Sequence, residues 1–240
     1  MFDYVSLNIE LANKHSSSIC EIAVSEFKGG EIIYQKVWAI KPPSLKLSPR
    51  QSATHRHSAE SLENEKTFAE LWAEISPCFA NKTVIAYFAN SQISNLIATF
   101  NHYQNLPLSN PLNLKGKIMP DFNFLCVDLL LRRAFKFLPS TQMYELCKDI
   151  GFEFDPKDAL PKTLACSHLL NAVLSTGSFK NPLDMLNKLS ITLGERLAYR
   201  KCITLDDEKE TEVTINYLPC LPRHEQFFDF DRIPWNAVLS

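Results

Sequence analysis

Glu10 closes an alternating stretch near the start of the chain, and Asp155, Lys157, Asp158 and Lys162 crowd into one short segment far downstream. Carboxylates are the oxygen ligands that a hard divalent ion such as magnesium requires. A lysine works differently: its ammonium neutralises phosphate as a point charge and, while protonated, cannot ligate a metal. Asn8 and Gln92 keep an acceptor oxygen without a charge. His55 and His57 stand two apart in a polar loop with no cysteine or second histidine pair beside them, which is not the spacing of a zinc site. The seven cysteines (Cys20, Cys78, Cys126, Cys147, Cys166, Cys202 and Cys220) include no C-x-x-C pair. Six of them lie in apolar stretches and read as small core residues in a reducing compartment.

The elements that must position these groups can be read from periodicity. Tyr4–Ile9 alternates as a short strand, Ile19–Phe27 alternates again, and Gly29-Gly30 supplies a tight turn requiring positive φ. Glu31–Ile40 returns as a third strand, giving an antiparallel meander. Pro42-Pro43 ends it, and a polar loop follows over Ser44–Glu65. Phe68, Leu71, Trp72 and Ile75 recur at helical spacing behind a Thr67 N-cap. Residues 83–87 make a buried strand, and Ile93, Leu96, Ile97 and Phe100 mark a second helix. A long irregular connection over 105–120 leads to a helix over Val127–Phe137, ending in Arg132, Arg133 and Lys136. Ser140 is expected to cap a further helix that Gly151 closes. Ala159–Leu174 is the last long helix, stopped by Gly177. Three hairpin strands, a helix, a fourth strand and more helices define an α/β class with a mixed sheet.

Bulk properties narrow the function. At 240 residues, with 45% hydrophobic and 22% charged residues, the chain fits one ordinary globular domain plus an appendage. A net charge of −2 provides no overall positive field, so any contact with nucleic acid must come from a local patch. The N-terminus lacks the basic and apolar regions of a signal peptide, and apolar runs fall well short of the ~20 residues that span a bilayer. The expectation is a cytoplasmic protein with no membrane partner.

Four ordered stretches resemble the DEDDh 3'-5' exonucleases, the family of the polymerase III epsilon proofreading subunit and of RNase T. Residues 4–13 (YVSLNIELAN) are similar to the strand-one motif D-x-E followed by T-x or T-A-N. Residues 53–60 (ATHRHSAE) are similar to I-H-G-I-T-x-E. Residues 84–92 (VIAYFANSQ) are similar to V-A-H-N-A-x-F-D. Residues 154–166 (FDPKDALPKTLAC) are similar to H-x-A-x-x-D-A-x-A-C. The resemblance covers about residues 1–176. It implies a ribonuclease H-like mixed sheet of about five strands with flanking helices.

The resemblance also implies a reaction. In that family two divalent ions, roughly 4 Å apart, drive in-line hydrolysis of the terminal phosphodiester, with four acids as ligands and a histidine as general base. Placed on that pattern, Asn8, Gln92 and Lys162 stand at three acid positions and Lys157 at the base. Glu10 alone matches. The charge of the acid set and base position together changes from −4 to +1, which repels dications. Catalysis is therefore not expected, no cofactor is expected, and Glu10 is a metal ligand at most. Asp155 and Asp158 are the candidates for a makeshift ligand. A shielded Glu10 without metal needs a cation, and a Lys162–Glu10 contact is the expected substitute.

Two readings follow. In the first the chain is an inactive exonuclease-fold module that binds nucleic-acid ends or a protein, with Lys157, Lys162, Arg132 and Arg133 as phosphate contacts to single-stranded DNA or RNA 3' ends. In the alternative it is an active 3'-5' exonuclease with a weakened, non-standard site holding Mg or Mn. Residues 181–240 are read as a C-terminal extension: a short helix capped by Asn181-Pro182, a hairpin pairing Arg200–Leu205 with Thr211–Leu218, and an aromatic tail. Gln226-x-x-x-Phe230 loosely resembles a sliding-clamp-binding pentapeptide. A packed tail is favoured over a protein partner there.

Overall fold

The computed structural model describes residues 3–135, 137–175, 179–196, 201–206, 209–214, 217–218 and 221–222. Strands β1 (Tyr4–Leu11), β2 (Ile19–Lys28) and β3 (Glu31–Ala39) form the expected antiparallel meander. Gly29 and Gly30, at φ +60° and +96°, turn β2 into β3. No atom lies within 4 Å of where a Gly29 Cβ would be, so the glycine there serves the backbone alone.

Two short helices, α1 (Pro49–Ser52) and α2 (Ala59–Glu63), break up the loop after β3. Helix α3 (Phe68–Ile75) begins at Thr67, whose hydroxyl accepts from the Glu70 N–H while the Glu70 carboxylate accepts from the Thr67 N–H. Strand β4 (Thr83–Ala86) and helix α4 (Ala89–Gln104) follow, then β5 (Phe122–Cys126) and α5 (Val127–Ala134). Trp72 of α3 packs on Phe100 of α4 with ring centroids 4.7 Å apart.

Helix α5 is shorter than its apolar pattern suggests: Phe135 is already extended at φ −123°, and Lys136 lies outside the described residues. The next helix, α6 (Met143–Asp149), starts later than Ser140. Ser140 Oγ instead accepts from the Gln142 N–H, a local turn that competes with capping. Gly151, at φ +77°, ends α6 as expected. Helix α7 (Ala159–Ser175) is the long final helix, and α8 (Pro182–Lys188) begins on an Asn181 cap that accepts from the Asp184 N–H.

The first five strands form a mixed sheet in which β1 pairs parallel with β4, and β4 parallel with β5. Further short strands are β6 (Ile191–Thr192), β7 (Gly194–Arg196), β8 (Lys201–Asp206), β9 (Lys209–Thr214), β10 (Tyr217–Leu218) and β11 (Leu221–Pro222). Strands β7 and β10 extend the sheet, giving the order β10-β7-β5-β4-β1-β2-β3. Strand β8 pairs antiparallel with β9, while Tyr217–Leu218 pairs with β7. Arg200 and the aromatic tail lie outside the described residues. No helix among the described residues is long and apolar enough to cross a membrane.

Candidate functional site

Strand β1 lies mid-sheet and is buried on both faces, so its alternation sorts residues by face rather than by exposure. Tyr4, Ser6, Asn8 and Glu10 share one face, and helix α7 lies along it. The Tyr4 hydroxyl bonds Ser167 Oγ at 2.6 Å. Ser6 Oγ donates to the Thr163 carbonyl at 2.7 Å, and Ser25 Oγ on β2 bonds Thr163 Oγ1 at 2.5 Å. These small polar contacts fix the rotation of α7. Pro161 sits in its first turn, where a missing N–H costs no intrahelical bond.

That rotation aims Lys162 at Glu10. The Lys162 ammonium donates to Glu10 Oε1 at 2.5 Å and to the Thr54 carbonyl at 2.7 Å. Both residues are only 8% exposed. Thr54 Oγ1 donates to Glu10 Oε2 at 2.6 Å, and Asn8 Nδ2 to Glu10 Oε1 at 3.0 Å. Only the amide nitrogen of Asn8 can face a carboxylate, because an amide oxygen would repel it. Gln92 takes a different part: its Oε1 accepts from the Ile9 N–H at 3.1 Å and its Nε2 donates to the Tyr87 carbonyl at 2.7 Å. It ties the start of α4 to β1.

Lys157 does not join them. It precedes α7 in an exposed turn, where its backbone N–H donates to Asp155 Oδ1 at 2.8 Å. Asp155 and Asp158 are held by Arg56, at 2.5 and 3.0 Å. The Lys157 N–H, followed by the Arg56 guanidinium, holds the Asp155 carboxyl below its usual range. Arg132 pairs with Asp128 one turn back on α5 at 3.0 Å, with its side chain 48% exposed. Arg133 is half-buried.

Sequence reasoning missed a second buried carboxylate. The β1–β2 register sets Glu21 directly opposite Glu10. Glu21 Oε2 meets His57 Nε2 at 2.7 Å, and this hydrogen bond raises the His57 pKa above its ordinary value. Like charges opposite each other on a sheet repel. Here each has its own nitrogen partner, the Lys162 ammonium for Glu10 and the His57 ring for Glu21. The neighbouring His55 is buried, its Nδ1 accepts from the His57 N–H at 3.1 Å, and burial lowers its pKa. The alternation of β1 and β2 around their turn could have exposed the Glu10–Glu21 pairing. Nothing in the sequence signalled Arg56 or Thr54 as partners. His168 is exposed on α7 and stacks on Phe152 at 4.2 Å, away from any role here.

The residues present do not fit a two-ion centre. Divalent magnesium needs several carboxylate oxygens, whereas both oxygens of Glu10 and Oε1 of Gln92 are bonded to protein donors. Among the described residues, no group of three or more His, Cys, Asp or Glu side chains is arranged to hold a metal ion.

The exonuclease family model (RNase_T) matches residues 5–160, and the chain belongs to this family. Its fold is the ribonuclease H-like fold of the DEDDh exonucleases. Exonuclease X in complex with 5' overhanging duplex DNA is similar at 15% identity and TM-score 0.53, over 77% of this chain and 98% of that one. The E. coli exonuclease I complex with single-stranded DNA, in its zinc-bound form, is similar at 15% identity and TM-score 0.55, over 78% of this chain but 43% of that one. The nuclease domain of 3'hExo, a DEDDh family member bound to rAMP, is similar at 11% identity and TM-score 0.54, over 73% and 92%. No curated protein matches the chain by sequence.

Proposed function

We propose that this exonuclease-fold chain binds single-stranded nucleic-acid 3' ends without hydrolysing them. The observation that carries this reading is the Lys162 ammonium seated on Glu10 Oε1 at 2.5 Å. A cation fixed to the last family carboxylate satisfies the charge that a metal would otherwise neutralise, and it repels any dication that approaches. The competing reading, a weakened metal enzyme, needs Asp155 or Asp158 as substitute ligands. Both are engaged with Arg56.

Nucleic-acid binding is supported by the nucleic-acid complexes among the similar structures. Lys162 is committed internally, so the exposed Lys157 and Arg132 are the cations offered to a phosphate, Arg132 while paired with Asp128. A calorimetric titration of manganese into the full chain tests the metal side of this reading. No saturable binding at millimolar manganese is expected. Saturable binding that disappears in Glu10→Gln would overturn it.

A further inference from the structure

Phe88 sits just before α4 with φ +54° and ψ +45°, a left-handed conformation that a Cβ-bearing aromatic adopts only at a steric cost. The other non-glycine residues with positive φ among those described are Asn81 and Ser190, both small and polar. The Phe88 conformation is held by its surroundings. The Ser91 and Gln92 N–H groups donate to its carbonyl at 3.0 and 3.2 Å. The preceding Tyr87 is anchored by its hydroxyl on the Thr141 carbonyl at 2.9 Å.

This cost is not offset by burial. Phe88 is 47% exposed, and its ring lies edge-on to Tyr87 with centroids 4.7 Å apart. Its place relative to the site is fixed through Gln92, one turn along α4, which reaches the β1 backbone between Asn8 and Glu10. Strands β4 and β5 end side by side, Ala86 opposite Cys126, and in α5, which follows β5 directly, Arg132 bonds Asp128 at 3.0 Å. An exposed aromatic and a half-exposed guanidinium paired with Asp128 thus stand at the same end of the parallel strands β1, β4 and β5 as Glu10. Strained residues persist where the surroundings over-determine them, and such places cluster at binding sites.

We infer that the Phe88 ring is a stacking platform for a base of the bound single strand, with Arg132 contacting the adjoining phosphate. The inference rests on the nucleic-acid reading above and adds to it the residue that holds the base. Stacking on an aromatic face is tolerant of sequence and independent of charge, whereas a phosphate contact is salt-sensitive. The two residues therefore leave different signatures.

The test is fluorescence anisotropy of the full chain with a 5'-labelled single-stranded oligonucleotide in EDTA, over a salt series, for wild type, Phe88→Asn, Phe88→Trp and Arg132→Gln. Phe88→Asn is expected to weaken binding about tenfold with the salt slope unchanged, and Phe88→Trp to stay within about threefold of wild type. Arg132→Gln is expected to reduce the slope by about 0.7. Asparagine accepts the left-handed backbone, so Phe88→Asn is expected to melt no lower than wild type. Unchanged affinity in Phe88→Asn, or an equal loss in Phe88→Trp, overturns the platform while leaving end-binding intact. Absence of binding by wild type overturns both.

Discussion

Lys162 and Glu10 are 152 residues apart in sequence and 2.5 Å apart in the fold. The contact joins the mid-sheet strand to the helix that covers it. Breaking one partner leaves the other buried and uncompensated. Lys162→Met is expected to cost about 3–5 kcal/mol of unfolding free energy, and Lys162→Met with Glu10→Leu much less. Urea unfolding of the two singles and the double measures this. Strict additivity would show that the pair is not coupled.

Thr54 supplies an uncharged donor to the same carboxylate at 2.6 Å, from a loop rather than from the core. Thr54→Val is expected to destabilise by about 1.5–3 kcal/mol, the range for a hydrogen bond to a charged group, and by less than Lys162→Met. Denaturation midpoints at constant m-value give the comparison. A Thr54→Val effect larger than that of Lys162→Met would contradict the ranking.

The His57–Glu21 contact makes stability depend on pH with a definite sign. Its hydrogen bond raises the His57 pKa in the folded state, so the folded chain holds that proton more tightly than the unfolded chain. The contribution is complete below about pH 6.5, the unfolded value, and is lost as pH rises through the folded value. His55, with its pKa lowered by burial, works the other way: its contribution is complete above about pH 6.5 and is lost on acidification. Comparison with His57→Asn separates the two. The stability gap between wild type and His57→Asn should be larger at pH 6 than at pH 9. A gap that widens toward pH 9 would contradict the assignment.

If charge and ligand identity are what the site has lost, restoring them should restore chemistry. The combined variant Asn8→Asp, Gln92→Asp, Lys157→His and Lys162→Asp rebuilds the family's acids and base around Glu10. It is expected to gain manganese-dependent shortening of a 3'-ended oligonucleotide, read on a denaturing gel. A folded but inert variant would show that the backbone, with Lys157 in its exposed turn, has moved away from working geometry.

Much of this arrangement was legible in the sequence. Alternation in β1 to β3, the Gly29-Gly30 turn and the Thr67 cap follow from local rules, and the ordered motifs brought Asn8, Glu10, Gln92 and Lys162 onto adjoining elements. Lys162 could be matched to Glu10 because a buried carboxylate needs a cation and α7 returns over β1. The missing parts depend on loops. Arg56 and Thr54 lie in a segment without periodicity, so no rule predicted that one would engage Asp155 and Asp158 while the other bonded Glu10. Helix α6 began past Ser140 because a serine can close a local turn as readily as cap a helix. The strained backbone of Phe88 carried no signal either, since local propensity there favours a different residue.

The most direct test of the central claim is hydrolysis itself. The full chain is incubated with a 5'-labelled single-stranded oligonucleotide in manganese, with Glu10→Gln run beside it as the background. The account predicts no shortened products above the Glu10→Gln lane, because the Lys162 ammonium is already bonded to the Glu10 carboxylate. Metal-dependent release of 3' nucleotides that is abolished by Glu10→Gln would contradict it.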